Sequence, residues 1–200
     1  MESAAPRQIA PRALATSIPN VLTYARIAAV PALVACLFLL KGDVSRWSAL
    51  AVFILACITD WLDGYLARIW DQQSELGRML DPIADKLLVG AALMMLVHDN
   101  TIDGWQIWAA VIILSREILV SGLREFLAEL NVKVHVSQLA KWKTVMQMIA
   151  LGVLLAGPAG DKIVPGITVT GTLLLWVAAL LTLFTGYDYL KAAIRHAMEG

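Results

Sequence analysis

The sequence has little charge and few cysteines. Lys, Arg, Asp and Glu make up 16% of its 200 residues, 59% are hydrophobic, and the mean hydropathy is +0.70. A soluble domain carries about 25% charged and about 45–50% apolar residues, so this composition excludes an ordinary soluble protein and indicates a polytopic membrane protein. The formal net charge of zero excludes a broad polyanion-binding surface, and with it nucleic acid as a partner. Cys36 and Cys57 lie inside apolar runs, which favours packing over a disulfide or zinc site.

Apolar runs of bilayer-crossing length follow one another along the chain. About 20 apolar residues are needed for a transmembrane helix, and such runs fall at 21–40, 47–69, 82–98, 104–126, 139–157 and 166–190. We therefore predict an all-α integral membrane protein with six transmembrane helices in a single domain, residues 1–200.

The N-terminal segment, residues 1–18, is expected to lie outside the six spans. It contains Pro6 and Pro11 and lacks an apolar core, so we do not expect a cleaved signal peptide. Residues 7–18 could form a short interfacial helix or belong to a flexible tail.

Lysine and arginine are concentrated on one side of the predicted bundle. Six spans place both termini, and the connections between spans 2 and 3 and between spans 4 and 5, on the same side. That side collects Arg7, Arg12, Arg68, Arg78, Lys133, Lys141, Lys143, Lys191 and Arg195. The opposite loops hold Lys41, Arg46 and Lys162. By the positive-inside rule we expect both termini in the cytosol, with Trp105 and Tyr189 among the aromatic anchors near the span ends.

Four aspartates lie at the cytosolic edge of the predicted spans 2 and 3, in the segment TDWLDGYLARIWDQQSELGRMLDPIADKL, residues 59–87. At 100° per residue, about one third of one helix circumference holds Asp60, Asp63, Gly64 and Ala67. One face of the next helix holds Gly77, Asp81 and Asp85, which recur every four residues. A turn between the two helices would bring the four carboxylates to one pocket, and the small residues would let a ligand approach the backbone.

Such a pocket predicts a metal site. A single aspartate near a helix end is usually solvated or a cap, but like charges gathered on two matched faces at low dielectric require cations. Oxygen-only ligands favour magnesium or manganese. A dinuclear carboxylate site is suited to activating a phosphoryl or diphosphate group.

The motif also resembles a known family. The pattern Asp60-x2-Asp63-Gly64-x2-Ala67-Arg68-x8-Gly77-x3-Asp81-x3-Asp85 reproduces in full the signature of the CDP-alcohol phosphatidyltransferases. The stretches IPNVLTYARI, LSREILVSGLREF and AKWKTVMQM resemble bacterial members of that family whose acceptor is glycerol 3-phosphate. The resemblance covers nearly the whole chain and is weakest before Ser17 and in spans 3 and 6.

The resemblance implies a six-helix, homodimeric enzyme of the bacterial inner membrane with a cytosolic active site. It implies transfer of the phosphatidyl group from CDP-diacylglycerol to the sn-1 hydroxyl of glycerol 3-phosphate. Two divalent ions, Mg²⁺ or Mn²⁺, would be held by Asp60, Asp63, Asp81 and Asp85, and Asp85 would also be the general base. The positions that match contacts with the CDP-diacylglycerol are Asn20, Thr23, Gly64, Arg68, Ser74 and Gly77.

The acceptor phosphate requires cations, and spans 4 and 5 offer them. Arg116 and Arg124 are eight residues apart and lie within about 80° of each other on a helix, and an arginine fork suits phosphate oxygens. We therefore predict acceptor contacts from Arg116, Arg124 and Lys141. The alternatives are ion pairs with the adjacent glutamates or lysines that extend to lipid headgroups; Lys143 could simply face lipid.

Three other functions share part of this pattern. A family member with another acceptor (inositol phosphate, serine or phosphatidylglycerol) would carry the same signature. An intramembrane prenyltransferase also uses aspartates and magnesium on a diphosphate, although typically with two separated motifs on more helices. A non-enzymatic transporter could use the carboxylates to pass cations, and would release no CMP.

Overall fold

All regular secondary structure in the computed structural model, which describes residues 18–70, 75–129 and 138–199, is helical. The six helices are α1 (Ile18–Leu39), α2 (Gly42–Trp70), α3 (Glu75–His98), α4 (Gln106–Glu129), α5 (Gln138–Asp161) and α6 (Ile167–Glu199). The predicted all-α class is confirmed. The N-terminal segment 1–18 lies, apart from Ile18, outside the described residues.

Five of the six helices are long and apolar enough to cross a membrane: α1, α2, α4, α5 and α6. Large apolar side chains such as Phe38 (66% exposed) and Phe184 (64% exposed) cover their outer surfaces, as expected of helices that face lipid. The third helix, α3, carries Asp81, Asp85 and Lys86 in its first half, and these charges shorten its apolar stretch. The membrane class is therefore confirmed, while the third predicted span falls short on composition.

The helices pack as two groups of three. Helix α1 packs against α2 and α3, and α6 packs against α4 and α5. Contacts between α2 and α5, and weaker contacts of α3 with α4 and α5, join the two groups. The apolar half of α3 is enclosed by its neighbours: Leu88, Ala92 and Leu96 are at most 1% exposed. The apolar half of this helix therefore packs mainly against protein.

Close approach of α5 and α6 depends on a small residue. A Cβ added at Gly171 would lie 2.8 Å from Cγ of Leu154, so a larger side chain would force the two helices apart. Small residues at such crossings let transmembrane helices gain van der Waals contact. The crossing of α5 and α6 therefore requires a residue as small as glycine at position 171.

The end of the bundle away from the aspartates is tied together by polar contacts. Arg46, near the start of α2, pairs with Asp99 at 2.8 Å and donates to Oγ1 of Thr101 at 2.6 Å, just beyond α3. Helix α5 bends nearby at Gly157, which has a φ of +39° and precedes Pro158. The residues proposed for chemistry gather at the other end.

Candidate active site

Three of the four predicted aspartates converge on one buried arginine. Asp60 lies on α2, Asp81 and Asp85 lie on α3, and Arg26 reaches them from α1 with a side chain that is only 1% exposed. The Arg26 guanidinium lies 2.9 Å from Oδ1 of Asp60, 3.1 Å from Oδ1 of Asp85 and 3.8 Å from Oδ1 of Asp81. Carboxylates from two helices therefore share one cation supplied by a third.

Helix α1 contributes a hydroxyl to the same cluster. Oγ1 of Thr23 donates to Oδ1 of Asp81 at 2.6 Å, and Thr23 is 1% exposed. Thr23 and Arg26 are three residues apart and so share a face of α1. The structure thus places Thr23 against a carboxylate, and its predicted contact with the CDP moiety stays a prediction.

Arg26 is a site residue that the sequence reasoning missed. Carboxylates brought together at low dielectric need a compensating positive charge, and the guanidinium supplies it within the protein. The signal was present in the sequence, because Arg26 lies inside the first apolar span and a charged residue within a span indicates function by default.

The donor chemistry of the cluster fits a hard divalent cation. Its ligand atoms are carboxylate oxygens, the type that Mg²⁺ and Mn²⁺ prefer, and the Arg26 contacts show that oxygens of Asp60, Asp81 and Asp85 can approach one positive group. Among the described side chains, which do not include that of Asp63, no three His, Cys, Asp or Glu residues form a ready metal-holding group.

A cavity of about 570 Å³ joins the aspartates to the arginines of α4. One wall, here called the acidic wall, carries the carboxylates of Asp60, Asp81 and Asp85, with Lys86 beside them. The facing wall, here called the cationic wall, consists of Arg116, Arg124 and Lys143. The structure thus brings both predicted acceptor arginines into the same space as the predicted metal ligands.

Each cationic side chain has a partner within its own group of helices. Nη2 of Arg116 donates to Oγ1 of Thr185 on α6 at 3.0 Å. The Arg124 guanidinium lies 5.7 Å from the centre of the Tyr189 ring, within cation–π range. These contacts orient the arginines, and they leave donors in the cavity because each guanidinium has five N–H groups.

Lys143 faces the cavity rather than lipid. It is 3% exposed, and its Nζ pairs with Oε1 of Glu117, which also lies 3.7 Å from Nη1 of Arg116. The lipid-facing alternative for Lys143 is therefore wrong, because its position on α5 turns it toward α4. The alternative of an Arg116–Glu117 ion pair is partly right, since Glu117 contacts both cations.

For most of the remaining predicted site residues, the structure describes the backbone position and not the side chain. Gly77 is buried on α3. The side chains of the others lie outside the described residues, although their backbones belong to α1, α2 and α5: Asn20, Asp63, Gly64, Arg68 and Lys141. Ser74 lies outside the described residues altogether. The predicted roles of these residues stay predictions.

Two further polar residues of the cavity were not predicted as site residues. Gln147 on α5 and Tyr189 on α6 line it and are 3% and 4% exposed. The interpretation of Tyr189 as an interfacial anchor is wrong, because its ring is buried under Arg124. For Gln147 the signal was its spacing of four residues from Lys143, which places both on one helix face.

Comparison with known proteins identifies the family. A family model described as CDP-alcohol phosphatidyltransferase matches residues 16–184. The chain belongs to the CDP-alcohol phosphatidyltransferase family. The match includes both walls of the cavity and confirms the resemblance found in the aspartate motif. Enzymes of this family are metal-dependent, in keeping with the oxygen donors of the acidic wall.

Curated relatives are similar over nearly the whole chain. A protein of Rickettsia bellii is 46% identical over 180 residues, covering 90% of this chain and 97% of its own length. A Haemophilus influenzae protein is 42% identical over 180 residues, with 88% and 93% covered. A Pseudomonas fluorescens protein is 41% identical over 186 residues, with 90% and 91% covered. All three are named CDP-diacylglycerol–glycerol-3-phosphate 3-phosphatidyltransferase.

Proposed function

We propose that this chain transfers the phosphatidyl group of CDP-diacylglycerol to the sn-1 hydroxyl of glycerol 3-phosphate, giving phosphatidylglycerophosphate and CMP. The observation that carries the proposal is the single cavity in which an acidic wall faces a cationic wall. One wall suits a metal-bound diphosphate, and the other suits a free phosphate dianion. The relatives at 41–46% identity are named for this reaction, which supports the choice of acceptor.

The donor lipid binds at the acidic wall. Asp60, Asp63, Asp81 and Asp85 would hold two divalent ions, Mg²⁺ or Mn²⁺. When bound, such ions neutralise negative charge on a diphosphate and on the departing nucleotide. The CDP moiety is contacted by Asn20, Thr23, Gly64, Arg68, Ser74 and Gly77, with Thr23 acting in part through its hydrogen bond to Asp81.

The acceptor binds at the cationic wall. Its phosphate is held by Arg116, Arg124 and Lys141, and charge-assisted hydrogen bonds from guanidinium groups fit phosphate oxygens well. With its phosphate held there, the acceptor would extend its hydroxyl end across the same cavity toward the acidic wall. Holding both reactants in one enclosed space lowers the entropic cost of bringing them together.

Asp85 is the proposed general base. The sn-1 oxygen of the acceptor attacks the phosphorus bonded to diacylglycerol, and the bond from that phosphorus to the CMP oxygen breaks. The hydroxyl proton passes to a carboxylate oxygen of Asp85, and CMP leaves with the electron pair of the broken bond. Asp85 lines the cavity, so its carboxylate is accessible to an acceptor bound there.

The chain is proposed to act as a single domain and as a homodimer in the bacterial inner membrane. The excess of Lys and Arg around both termini supports a cytosolic location for the termini. The cavity lies at the end of the bundle where α2 ends and α3 begins, so the active site would open to the cytosol as well.

The experiment is an acceptor panel with the purified protein. CDP-diacylglycerol and Mg²⁺ are supplied with glycerol 3-phosphate, serine, inositol phosphate or phosphatidylglycerol, and CMP and lipid product are measured. We expect CMP and phosphatidylglycerophosphate in equal amounts with glycerol 3-phosphate. Faster reaction with another acceptor would overturn the acceptor while retaining the family, and no CMP release with any acceptor would favour a non-enzymatic cation carrier.

A further inference from the structure

Three buried polar atoms on the cationic side of the cavity have no hydrogen-bond partner among the described residues. They are Nε of Arg116, Oε1 of Gln147 and the hydroxyl of Tyr189, and all three residues line the cavity. Native structures leave few buried polar groups unsatisfied, because burying a polar group without a hydrogen-bond partner destabilises the fold. Three in one cavity indicate that a polar ligand completes their hydrogen bonds.

We propose that Gln147 and Tyr189 are specificity-determining residues of the acceptor site, with Gln147 bound to the C2 hydroxyl of the acceptor and Tyr189 bound to its phosphate. This inference rests on the proposed function and adds to it the recognition of the acceptor's carbon chain. The Arg and Lys contacts explain why a phosphate binds. They do not explain why a polyol phosphate would be preferred over another phosphate ester.

The unpartnered atom of Gln147 determines what it can bind. A carbonyl oxygen only accepts hydrogen bonds, and a phosphate dianion has no proton to donate. A hydroxyl of the ligand is therefore the matching group. Gln147 lies one helical turn beyond Lys143 on α5, and Met148 beside it also lines the cavity, so the amide is set among the cavity walls rather than at the protein surface.

The position of Tyr189 favours the phosphate. Its ring lies beneath the guanidinium of Arg124, so a phosphate bound to Arg124 is brought near the phenol. The hydroxyl can donate to a phosphate oxygen, and hydrogen bonds to ionised acceptors are roughly twice as strong as neutral ones. Thr185, one turn earlier on α6, already holds Arg116, so one face of α6 supports both arginines.

The test compares the kinetics of the wild-type protein and two variants with each of two acceptors. The acceptors are glycerol 3-phosphate and 3-hydroxypropyl phosphate, which lacks the C2 hydroxyl. The wild-type protein should lose about three- to tenfold in kcat/KM with the deoxy acceptor. Gln147→Met should lose a similar factor with glycerol 3-phosphate and nothing further with the deoxy acceptor. Tyr189→Phe should raise KM about tenfold for both acceptors, since both carry the phosphate.

Matched controls separate recognition from folding. Thr182 on α6 also has a buried hydroxyl without a hydrogen-bond partner in the described part of the chain, but it does not line the cavity. Thr182→Val should therefore leave both acceptor KM values unchanged. If Gln147→Met does not fold, Gln147→Asn keeps the amide on a shorter chain and should show the same loss of discrimination.

The outcomes distinguish this inference from the proposed function. Equal losses with both acceptors in Gln147→Met, or an equal rise in the KM for CDP-diacylglycerol, would overturn the assignment of Gln147. Full wild-type activity with the deoxy acceptor would do the same, and would point to a bound water as the partner of the amide. A wild-type protein that makes no product from glycerol 3-phosphate overturns the proposed function and this inference together.

Discussion

The two groups of three helices build opposite walls of one cavity. In the first group, α1 to α3, the carboxylates of Asp60, Asp81 and Asp85 share the guanidinium of Arg26. In the second group, α4 to α6, the positive charges of Arg116, Arg124 and Lys143 face the cavity and Glu117 contacts two of them. Each group of helices also supplies a counter-charge of the other sign, Arg26 in the first and Glu117 in the second.

The acidic wall and the cationic wall differ in how they would hold a phosphate group. Phosphate groups are repelled by the carboxylates of the acidic wall, and the metal dependence of the family fits a cation that lies between them. The cationic wall attracts phosphate directly. Under the proposed function, two anionic substrates would share one cavity of about 570 Å³, each held by a different kind of positive charge.

Metal removal should have the largest effect on activity and should affect the two walls differently. In EDTA we expect activity to vanish, and added Mg²⁺ or Mn²⁺ to restore it, because the donors of the acidic wall are all carboxylates. Binding of glycerol 3-phosphate, measured by calorimetry without the lipid substrate, should persist in EDTA because Arg116 and Arg124 need no metal. Full activity in chelator would rule out the metal site.

Two substitutions within the acidic wall should have different consequences. Asp85→Asn keeps one oxygen but cannot accept a proton, so turnover should fall by roughly a hundredfold or more while CDP-diacylglycerol still binds with Mg²⁺. Asp60→Asn should weaken metal and nucleotide binding together. Measuring lipid affinity and turnover separately for both variants decides the roles. If Asp85→Asn loses lipid binding as severely as Asp60→Asn, then Asp85 is mainly a metal ligand and another group takes the proton.

The acidic wall could be predicted from sequence further than the cationic wall. The aspartates recur at intervals of three and four within two consecutive helices, and this local spacing fixes the helix face on which they lie. Arg26 was missed because it meets Asp60 from a different helix, 34 residues earlier in the chain. Spacing within a helix does not reveal which neighbour a face meets.

On the second group of helices, the orientations of Lys143 and Tyr189 could not be predicted from spacing either. Lys143 lies near the start of α5, and Tyr189 lies near the end of the apolar stretch of α6, Ile167–Lys191. At such positions a basic or aromatic residue commonly meets the membrane interface. Whether they face lipid or protein depends on the rotation of α5 and α6 within the bundle, and tertiary packing sets that rotation. The composition of α3 was difficult to interpret for a related reason, since this helix is enclosed by protein at its apolar half.

Removing one arginine should weaken the cationic wall without affecting the acidic wall. Arg124→Ala should raise the KM for glycerol 3-phosphate by roughly ten- to a hundredfold, as expected for the loss of a charge-assisted contact worth about 1.5–3 kcal/mol. The KM for CDP-diacylglycerol should stay nearly unchanged. Arg116→Ala should show the same selectivity with an added loss of stability, because Arg116 also joins α4 to α6 through Thr185. Equal loss of affinity for both substrates would indicate a structural role instead.

The smallest effect is expected for a lysine that belongs to neither wall. Lys162 pairs with Asp43 at 2.6 Å at the far end of the bundle, where the two side chains are 65% and 46% exposed. Exposed ion pairs of this kind contribute about 0–1 kcal/mol and are screened by salt. Lys162→Ala should therefore shift the thermal unfolding midpoint only slightly and leave both substrate KM values unchanged.

This variant removes one positive charge, as Arg124→Ala does, so a comparable rise in the KM for glycerol 3-phosphate would mean that overall charge attracts the acceptor. An unchanged KM would instead locate the attraction in the cationic wall.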